Sequence, residues 1–428
     1  MSVRLVPWLL LAATLVACGH PTPGVRWREG QPLLARQRAT PEVLFVKLKP
    51  DAAQVAGTRL AAAHGLRELA GEQPLLAKMG WRAWRRQAGT PEPAQLRARL
   101  QADPAVAEVA FDEAIALVPE APRPPAAPAF GPAATGPDPL APRQWAVAKL
   151  QLEAAHRITT SSPRVMLAIL DSGVDWTHPD LATADGLSRV VKGRDTLKHN
   201  DEPHDGHGHG THAAGIAAAS ANNGVGVVGV APNCRILAEK VVSDYGYGDV
   251  ASVAAGIVHA VDQGAQVLSM SLGSPTPNPV VRDAVLYAQG KGAVLVAAMG
   301  NSGHEDILYP AAFPGVIAVG ATRSDDTRAS FSSFGDWISV AAPGDNIVST
   351  VPSHASMHPV RDYGWMSGTS MATPHVAGLA ALLRDLHPDW TFEQVKQRIE
   401  QTATPLGGSA FNKYFGHGRI DVYRAVKS

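Results

Sequence analysis

The sequence predicts an α/β protein: a parallel sheet with helices on both faces, preceded by a small α+β ferredoxin-like domain. Three observations carry this prediction. From Gln144 onward, short apolar runs recur at 165–170, 236–242, 267–272, 293–298, 316–321 and 338–342. The first of these, Val-Met-Leu-Ala-Ile-Leu, is apolar at every position, which suits a strand covered on both faces rather than one. Helical stretches at 210–220, 250–263 and 280–289 fall between the runs, the alternation expected of strands joined by crossover helices. Upstream, residues 41–118 read instead as strand, helix, strands, helix, strand, which builds a small α+β sandwich.

The remaining segments follow from composition. Residues 1–17 place Arg4 ahead of the apolar run 6–16, too short to span a bilayer and suited to an export signal. Residues 18–40 are polar with scattered prolines and read as a tether. In 41–118, residues 43–48 are strand-like, 51–64 and 93–100 helix-like, and 109–118 a further apolar strand. Residues 119–142 are crowded with proline and alanine, an extended linker open to proteolysis. Residues 143–428 form the large domain, with 391–402 a surface helix. The whole chain of 428 residues carries 38 basic and 38 acidic side chains. That is long enough for a sizeable core, and its zero net charge gives no electrostatic case for nucleic acid. There are two cysteines, Cys18 and Cys234.

The chemistry is organised around 368–378, Gly-Thr-Ser-Met-Ala-Thr-Pro-His-Val-Ala-Gly. Ser370 stands just ahead of an apolar run with helical spacing, so it lies near a helix start. Unpaired N–H groups and the helix dipole there favour a developing negative charge. Pro374 is expected in the first turn of that helix. A serine at a helix start is by itself a cap; partners give it chemistry. Asp171 ends the run 165–170, and His209-Gly210-Thr211-His212 opens a second small-residue helix. A carboxylate, an imidazole and a hydroxyl can serve as orienter, base and nucleophile. Asp171, Ser271 and Asn301 all follow strand ends, where parallel sheets bind ligands. The chain order Asp, His, Ser is that of subtilisin, and the G-x-S-x-G elbow of α/β-hydrolases is not matched.

Asp171-Ser172-Gly173, His209-Gly210-Thr211-His212 and Gly368-Thr369-Ser370-Met371-Ala372 together resemble the three signature blocks of the subtilisin-like serine proteases, over about Gln144 to Ser428. The resemblance implies a secreted serine endopeptidase working through Asp171, His209 and Ser370, with His209, of the crowded His204, His207, His209 and His212, as the base. It implies that Asn301, in 297–303, supplies an oxyanion donor. Ser271, Leu272 and Gly273 would pair with an extended peptide, and Ala298, Met299 and Gly300 would complete the primary pocket. Met299 and Leu308 are bulkier than the residues common there, and apolar side chains are expected before the scissile bond. Asp180, Asn223 and the carbonyls of Ala221, Val225 and Val227 resemble the family's calcium loop. Asp103-Pro104-Ala105-Val106-Ala107-Glu108-Val109 is similar to the inhibitory propeptides of these enzymes, so residues 41–118 would inhibit the chain's own protease in a self-processing zymogen. Leu15-Val16-Ala17-Cys18 resembles a bacterial lipobox, with Cys18 lipidated. The precursor would then be membrane-anchored, with its catalytic domain periplasmic or extracellular.

Two other readings compete. The histidine cluster suggests a metal-dependent hydrolase, but neither H-E-x-x-H nor H-x-x-E-H occurs and no cysteine pair completes a zinc site. A catalytically inactive peptide-binding pseudoprotease would keep the groove without the chemistry.

Overall fold

The computed structural model describes residues 42–52, 54–69, 71–120, 138–183 and 185–427. The export signal, the tether with Cys18, and the stretch 121–137 of the proline-rich segment lie outside the described residues.

The N-terminal unit comprises β1 (Val43–Leu48), α1 (Gln54–Ala63), β2 (Leu66–Glu68), α2 (Pro74–Ala77), β3 (Trp81–Arg86), α3 (Pro93–Gln101) and β4 (Val106–Phe111). Its antiparallel sheet runs β2-β3-β1-β4. Side chains alternate faces along a strand, and β1 uses both. Leu44 and Val46 pack with Trp84, Leu96, Leu100 and Val109 in the unit's own core. Val43 and Phe45 face the large domain instead. The apolar stretch expected as one strand at 109–118 is two: β4 ends at Phe111, and β5 (Ala114–Leu117) belongs to a different sheet. The break falls at Asp112-Glu113, whose groups are taken by a helix of the large domain. Val250 N–H donates to the Glu113 carbonyl at 3.0 Å, and Ala251 N–H to the Asp112 carboxylate at 3.1 Å.

The large domain continues with α4 (Trp145–Lys149), α5 (Leu152–His156), β6 (Met166–Asp171), β7 (Val190–Asp195), α6 (His209–Ala218), β8 (Arg235–Lys240), β9 (Tyr247–Asp249), α7 (Val250–Asp262), β10 (Val267–Met270) and β11 (Leu272–Gly273). Then follow α8 (Pro279–Gly290), β12 (Val294–Ala298), β13 (Ile317–Thr322), β14 (Val340–Pro343), β15 (Ile347–Val351), β16 (Asp362–Met366), α9 (Thr369–Leu386), α10 (Phe392–Thr402) and α11 (Val422–Val426). Seven strands form a parallel sheet in the order β14-β13-β12-β10-β6-β8-β7. Each of the six apolar runs supplies one of its strands, but the run 267–272 is divided, since Leu272 belongs to β11 in another sheet. The seventh strand, β7, escaped the sequence reading because Lys192, Gly193 and Arg194 interrupt its apolar pattern.

Both faces are covered, as the continuous apolar runs require. On β6, Leu167 and Ile169 pack with Ala213 and Ala217 of α6 and Val376 and Leu379 of α9. Met166, Ala168 and Leu170 pack on the other face with Val253 and Ile257 of α7 and Val281 and Val285 of α8. The chain runs from β6 out to β7 and β8 on one side, then crosses to β10 on the other. That reversal opens a crevice at the carboxyl end of β6, where Asp171 sits.

The N-terminal unit docks on α7 and α8. Lys47 pairs with Asp283 at 2.7 Å, Trp81 Nε1 donates to the same carboxylate at 3.0 Å, and Arg282 pairs with Glu108 at 2.8 Å. Asn278 Nδ2 donates to the Phe111 carbonyl at 3.0 Å. Among the described residues no helix is long and apolar enough to cross a membrane.

Candidate active site

Asp171 closes β6 and His209 is the first residue of α6. Tertiary contacts bring them together: the Asp171 carboxylate lies 2.8 and 3.0 Å from His209 Nδ1. Both side chains are buried. Burial pulls the imidazole's pKa down, but the Asp171 charge and hydrogen bond outweigh it, so the net shift is upward. An imidazolium is therefore stabilised at His209.

The start of α6 is fixed by a buried carboxylate that lies outside the three signature blocks. Asp205 is fully buried and accepts from five donors. These are the Ser172 hydroxyl at 2.9 Å, His207 N–H at 3.0 Å and Gly208 N–H at 2.8 Å, and both the N–H and the hydroxyl of Thr211, at 2.9 and 2.6 Å. Ser172 in turn accepts from Gly210 N–H at 3.0 Å. One carboxylate thus ties the loop after Asp171 to the helix that carries His209. Buried carboxylates in dry sites require such satisfaction.

Ser370 is the second residue of α9. Its Oγ and His209 Nε2 are both buried and neither has a hydrogen-bond partner. Pro374 is the sixth residue of α9, not part of its first turn as expected. With no N–H, it leaves the Ser370 carbonyl without the usual intrahelical donor. The Ser271 hydroxyl donates to that carbonyl at 3.0 Å.

Asn301 follows β12. Its Oδ1 accepts from the Thr369 N–H and hydroxyl, both at 2.9 Å, which forces Nδ2 to face the groove. There Nδ2 donates to the Pro119 carbonyl at 2.7 Å. Gly368 lies against this amide: a Cβ there would come within 2.8 Å of Nδ2, so only glycine leaves the donor in place.

The groove holds the chain's own segment. β5 lies between β11 and β9, antiparallel to both, with Leu117 opposite Leu272 and Ala116 opposite Gly273. Val118 N–H donates to the Ser271 carbonyl at 3.2 Å. Thus Ser271, Leu272 and Gly273 do pair with an extended segment. Met299, Gly300 and Asn301 line the cavity beside it, with Met299 also packed in the core, and Ala298 is fully buried at the end of β12.

The family model for the subtilases matches residues 162–418. The chain belongs to the subtilase family. This subtilase is 43% identical over 285 residues to thermitase of Thermoactinomyces vulgaris, covering 67% of this chain and 96% of that one. It is 45% identical over 272 residues to a thermophilic serine proteinase of Bacillus sp. (strain AK1), covering 64% of each. Among solved structures it is similar to fervidolysin from Fervidobacterium pennivorans, described as a keratinolytic enzyme related to subtilisin. The TM-score is 0.74 at 26% identity, over 90% of this chain and 61% of that one. This subtilase therefore spans less than two thirds of the length of the Bacillus proteinase and of fervidolysin.

The other histidines of this subtilase diverge. His212 Nε2 lies 3.2 Å from the carbonyls of Ile347 and Gly364, and burial holds the ring well below its ordinary pKa. His204 is exposed, with its ring tilted against that of His354 at a centroid distance of 4.1 Å. His207 is half-buried with its ring edge-on to His209 at 6.1 Å. Among the described residues no three His, Cys, Asp or Glu side chains are grouped to hold a metal ion. Cys234 is buried, and burial pushes its thiol up to about 12.

Two carboxylates converge on the loop 221–227. Asp180 accepts from Asn223 Nδ2 at 2.9 Å and Val227 N–H at 2.8 Å. Asp138 accepts from Asn222 N–H at 2.8 Å and Asn223 N–H at 3.2 Å. Asp138 had no sequence signal, because it lies at the end of the proline-rich segment and reaches the loop only through the fold. Ala221, Val225 and Val227 can offer that loop only backbone carbonyls.

Proposed function

We propose that this chain is a serine endopeptidase made as a self-blocked precursor. Ser370 Oγ attacks the scissile carbonyl, and its proton passes to His209 Nε2. Asp171 stabilises the resulting imidazolium, and Asn301 Nδ2 with the Ser370 N–H holds the oxyanion. His209 then protonates the leaving amine, and water releases the acyl group by the reverse sequence. Family membership and the Asp171–His209 contact support this reading.

The observation that carries the self-blocked part is the Pro119 carbonyl on Asn301 Nδ2 at 2.7 Å. Residues 41–118 would act as an inhibitory propeptide, with β5 filling the groove as a substrate strand would. The bond presented to Ser370 is then Pro119–Glu120. If Cys18 carries lipid, that cut separates the catalytic domain from its anchor.

Calcium fits the loop 221–227. Asp138, Asp180, the Asn223 amide and the carbonyls of Ala221, Val225 and Val227 would hold it, an all-oxygen set of the kind calcium takes. The ion would rigidify the loop to which the start of the large domain is tied.

Intact-mass analysis of the purified chain beside Ser370→Ala tests the proposal. The expected result is a wild-type fragment beginning at Glu120, an uncut variant, and any acyl chains on the N-terminal fragment. Identical cutting of the variant would overturn it.

A further inference from the structure

A lysine is buried beside the Asp171–His209 pair without belonging to it. Lys240 ends β8, where it stands opposite Asp171 of β6 and Asp195 of β7, and its side chain is 2% exposed. Its carbonyl accepts from the N–H and the hydroxyl of Thr196, both at 3.0 Å. A buried ammonium is costly unless it is paired and its donors are taken. Asp195 does not take them: its Oδ1 accepts from the N–H groups of Leu197 and Lys198, at 3.1 and 2.9 Å, and its Oδ2 accepts no hydrogen bond. Lys240 Nζ instead donates to the Ser172 carbonyl at 2.5 Å and to Asp244 Oδ1 at 2.6 Å.

These two bonds lead to the two loops that flank the site. Ser172 follows Asp171, and its N–H donates to Asp171 Oδ1 at 2.7 Å. Asp171 therefore holds the N–H of this residue while Lys240 holds its carbonyl. Asp244 reaches the other loop. Its Oδ1 also accepts from Gly206 N–H at 3.2 Å, and a Cβ at Gly206 would come within 2.4 Å of its Cγ, so a side chain there would push the carboxylate away. Gly206 follows Asp205, whose carboxylate fixes the start of the helix that carries His209. Burial raises the pKa of Asp244, but the Lys240 charge and hydrogen bond outweigh it, and the carboxyl stays below its ordinary range. One ion pair thus joins the loop after Asp171 to the loop before His209.

We propose that Lys240 is a positioning residue for peptide hydrolysis, holding the Asp171 carboxylate on His209 Nδ1 through Ser172 and, by way of Asp244, the loop that leads into His209. This rests on the peptidase reading above and adds a residue to its machinery. Lys240 bonds to Ser172 and Asp244 rather than to a reacting group, so it acts through geometry. Displacement of a reacting group by 1 Å costs about 100-fold in rate, and groups held to that tolerance need supporting residues that are themselves locked. The segments that pair with an extended peptide, Ser271 to Gly273, lie on a different strand. The contribution of Lys240 therefore falls on kcat rather than on KM.

The test measures kcat and KM on a chromogenic peptide anilide with the processed protein, its competent molecules counted by fluorophosphonate labelling of Ser370. Lys240→Met keeps the apolar stem and removes the donors. It should lower kcat by about 10–100-fold and leave KM within about threefold. Asp244→Ala should lower kcat by at least about fivefold. The double variant should fall no further than Lys240→Met, because both changes break one linkage. Should Lys240→Met fail to fold, Asp244→Ala decides, since that side chain is 44% exposed. A kcat within about twofold of the wild type in the deciding variant, a loss confined to KM, or losses that multiply in the double variant overturns the inference and leaves the peptidase reading standing. A wild-type protein that neither labels nor hydrolyses the anilide overturns the peptidase reading, and the role of Lys240 with it.

Discussion

Ser271→Ala isolates a contact that links the groove to the helix carrying Ser370. Pro374 cannot donate to the Ser370 carbonyl, and the Ser271 hydroxyl does so at 3.0 Å. Both serines are buried, so water is a poor substitute for the lost hydroxyl. Leaving a buried acceptor unpaired costs about 1–3 kcal/mol. For a chain of this size each kcal/mol corresponds to a fall in Tm of about 1 °C. The proline supplies a control. Pro374→Ala restores an N–H one helical turn beyond the carbonyl, so Ser271→Ala should cost about 1 kcal/mol less in that background. The altered unfolded-state entropy of the proline variant cancels across the double-mutant cycle. Calorimetry of all four proteins in a Ser370→Ala background, at one scan rate, avoids self-digestion. Strict additivity would refute the claim that the hydroxyl replaces the missing helical donor.

Two further outcomes are expected. Asp112 is pushed up by burial and then by the Asp249 charge, against the Ala251 N–H that favours its ionised form, with Glu113 adding to the rise. A carboxyl whose pKa is raised on docking favours docking while protonated, so the grip of the N-terminal unit should be full in acid and weaken as pH rises through the raised value. Inhibition of peptide hydrolysis by the cleaved N-terminal unit, followed against pH, should lose this dependence in Asp112→Asn; an unchanged profile would refute the role of Asp112. EGTA should lower the Tm of the Ser370→Ala protein, by the equivalent of about 2.7 kcal/mol if calcium was present at 100 times its Kd. Asp138→Ala should shrink that shift, and a Tm indifferent to EGTA would count against the calcium loop.

Legibility in the sequence followed the range of the interactions involved. The six apolar runs were readable because burial on both faces demands apolar residues at every position of a short stretch. The edge strand β7 was not, since an edge tolerates Lys192 and Arg194. Asp171, His209 and Ser370 were readable as strand-end and helix-start residues in a family-like order. Asp205 was not, because five donors converging on one carboxylate leave no spacing to detect. Met299 and Leu308 both looked like pocket residues from their neighbours in the chain and both line the cavity beside β5, but only packing shows that Met299 is at the same time buried in the core.

By itself the sequence determined the α/β architecture, the elements that carry Asp171, His209 and Ser370, and the family, because these depend on periodicity and short motifs. Tertiary structure alone decided that β5 leaves its own sheet to lie in the groove, that Asn301 turns its amide towards Pro119, and that Asp138 meets the loop 221–227. Each of these joins residues far apart in the chain, and no local propensity encodes which distant hydrogen-bond partner a group will find once the core has closed.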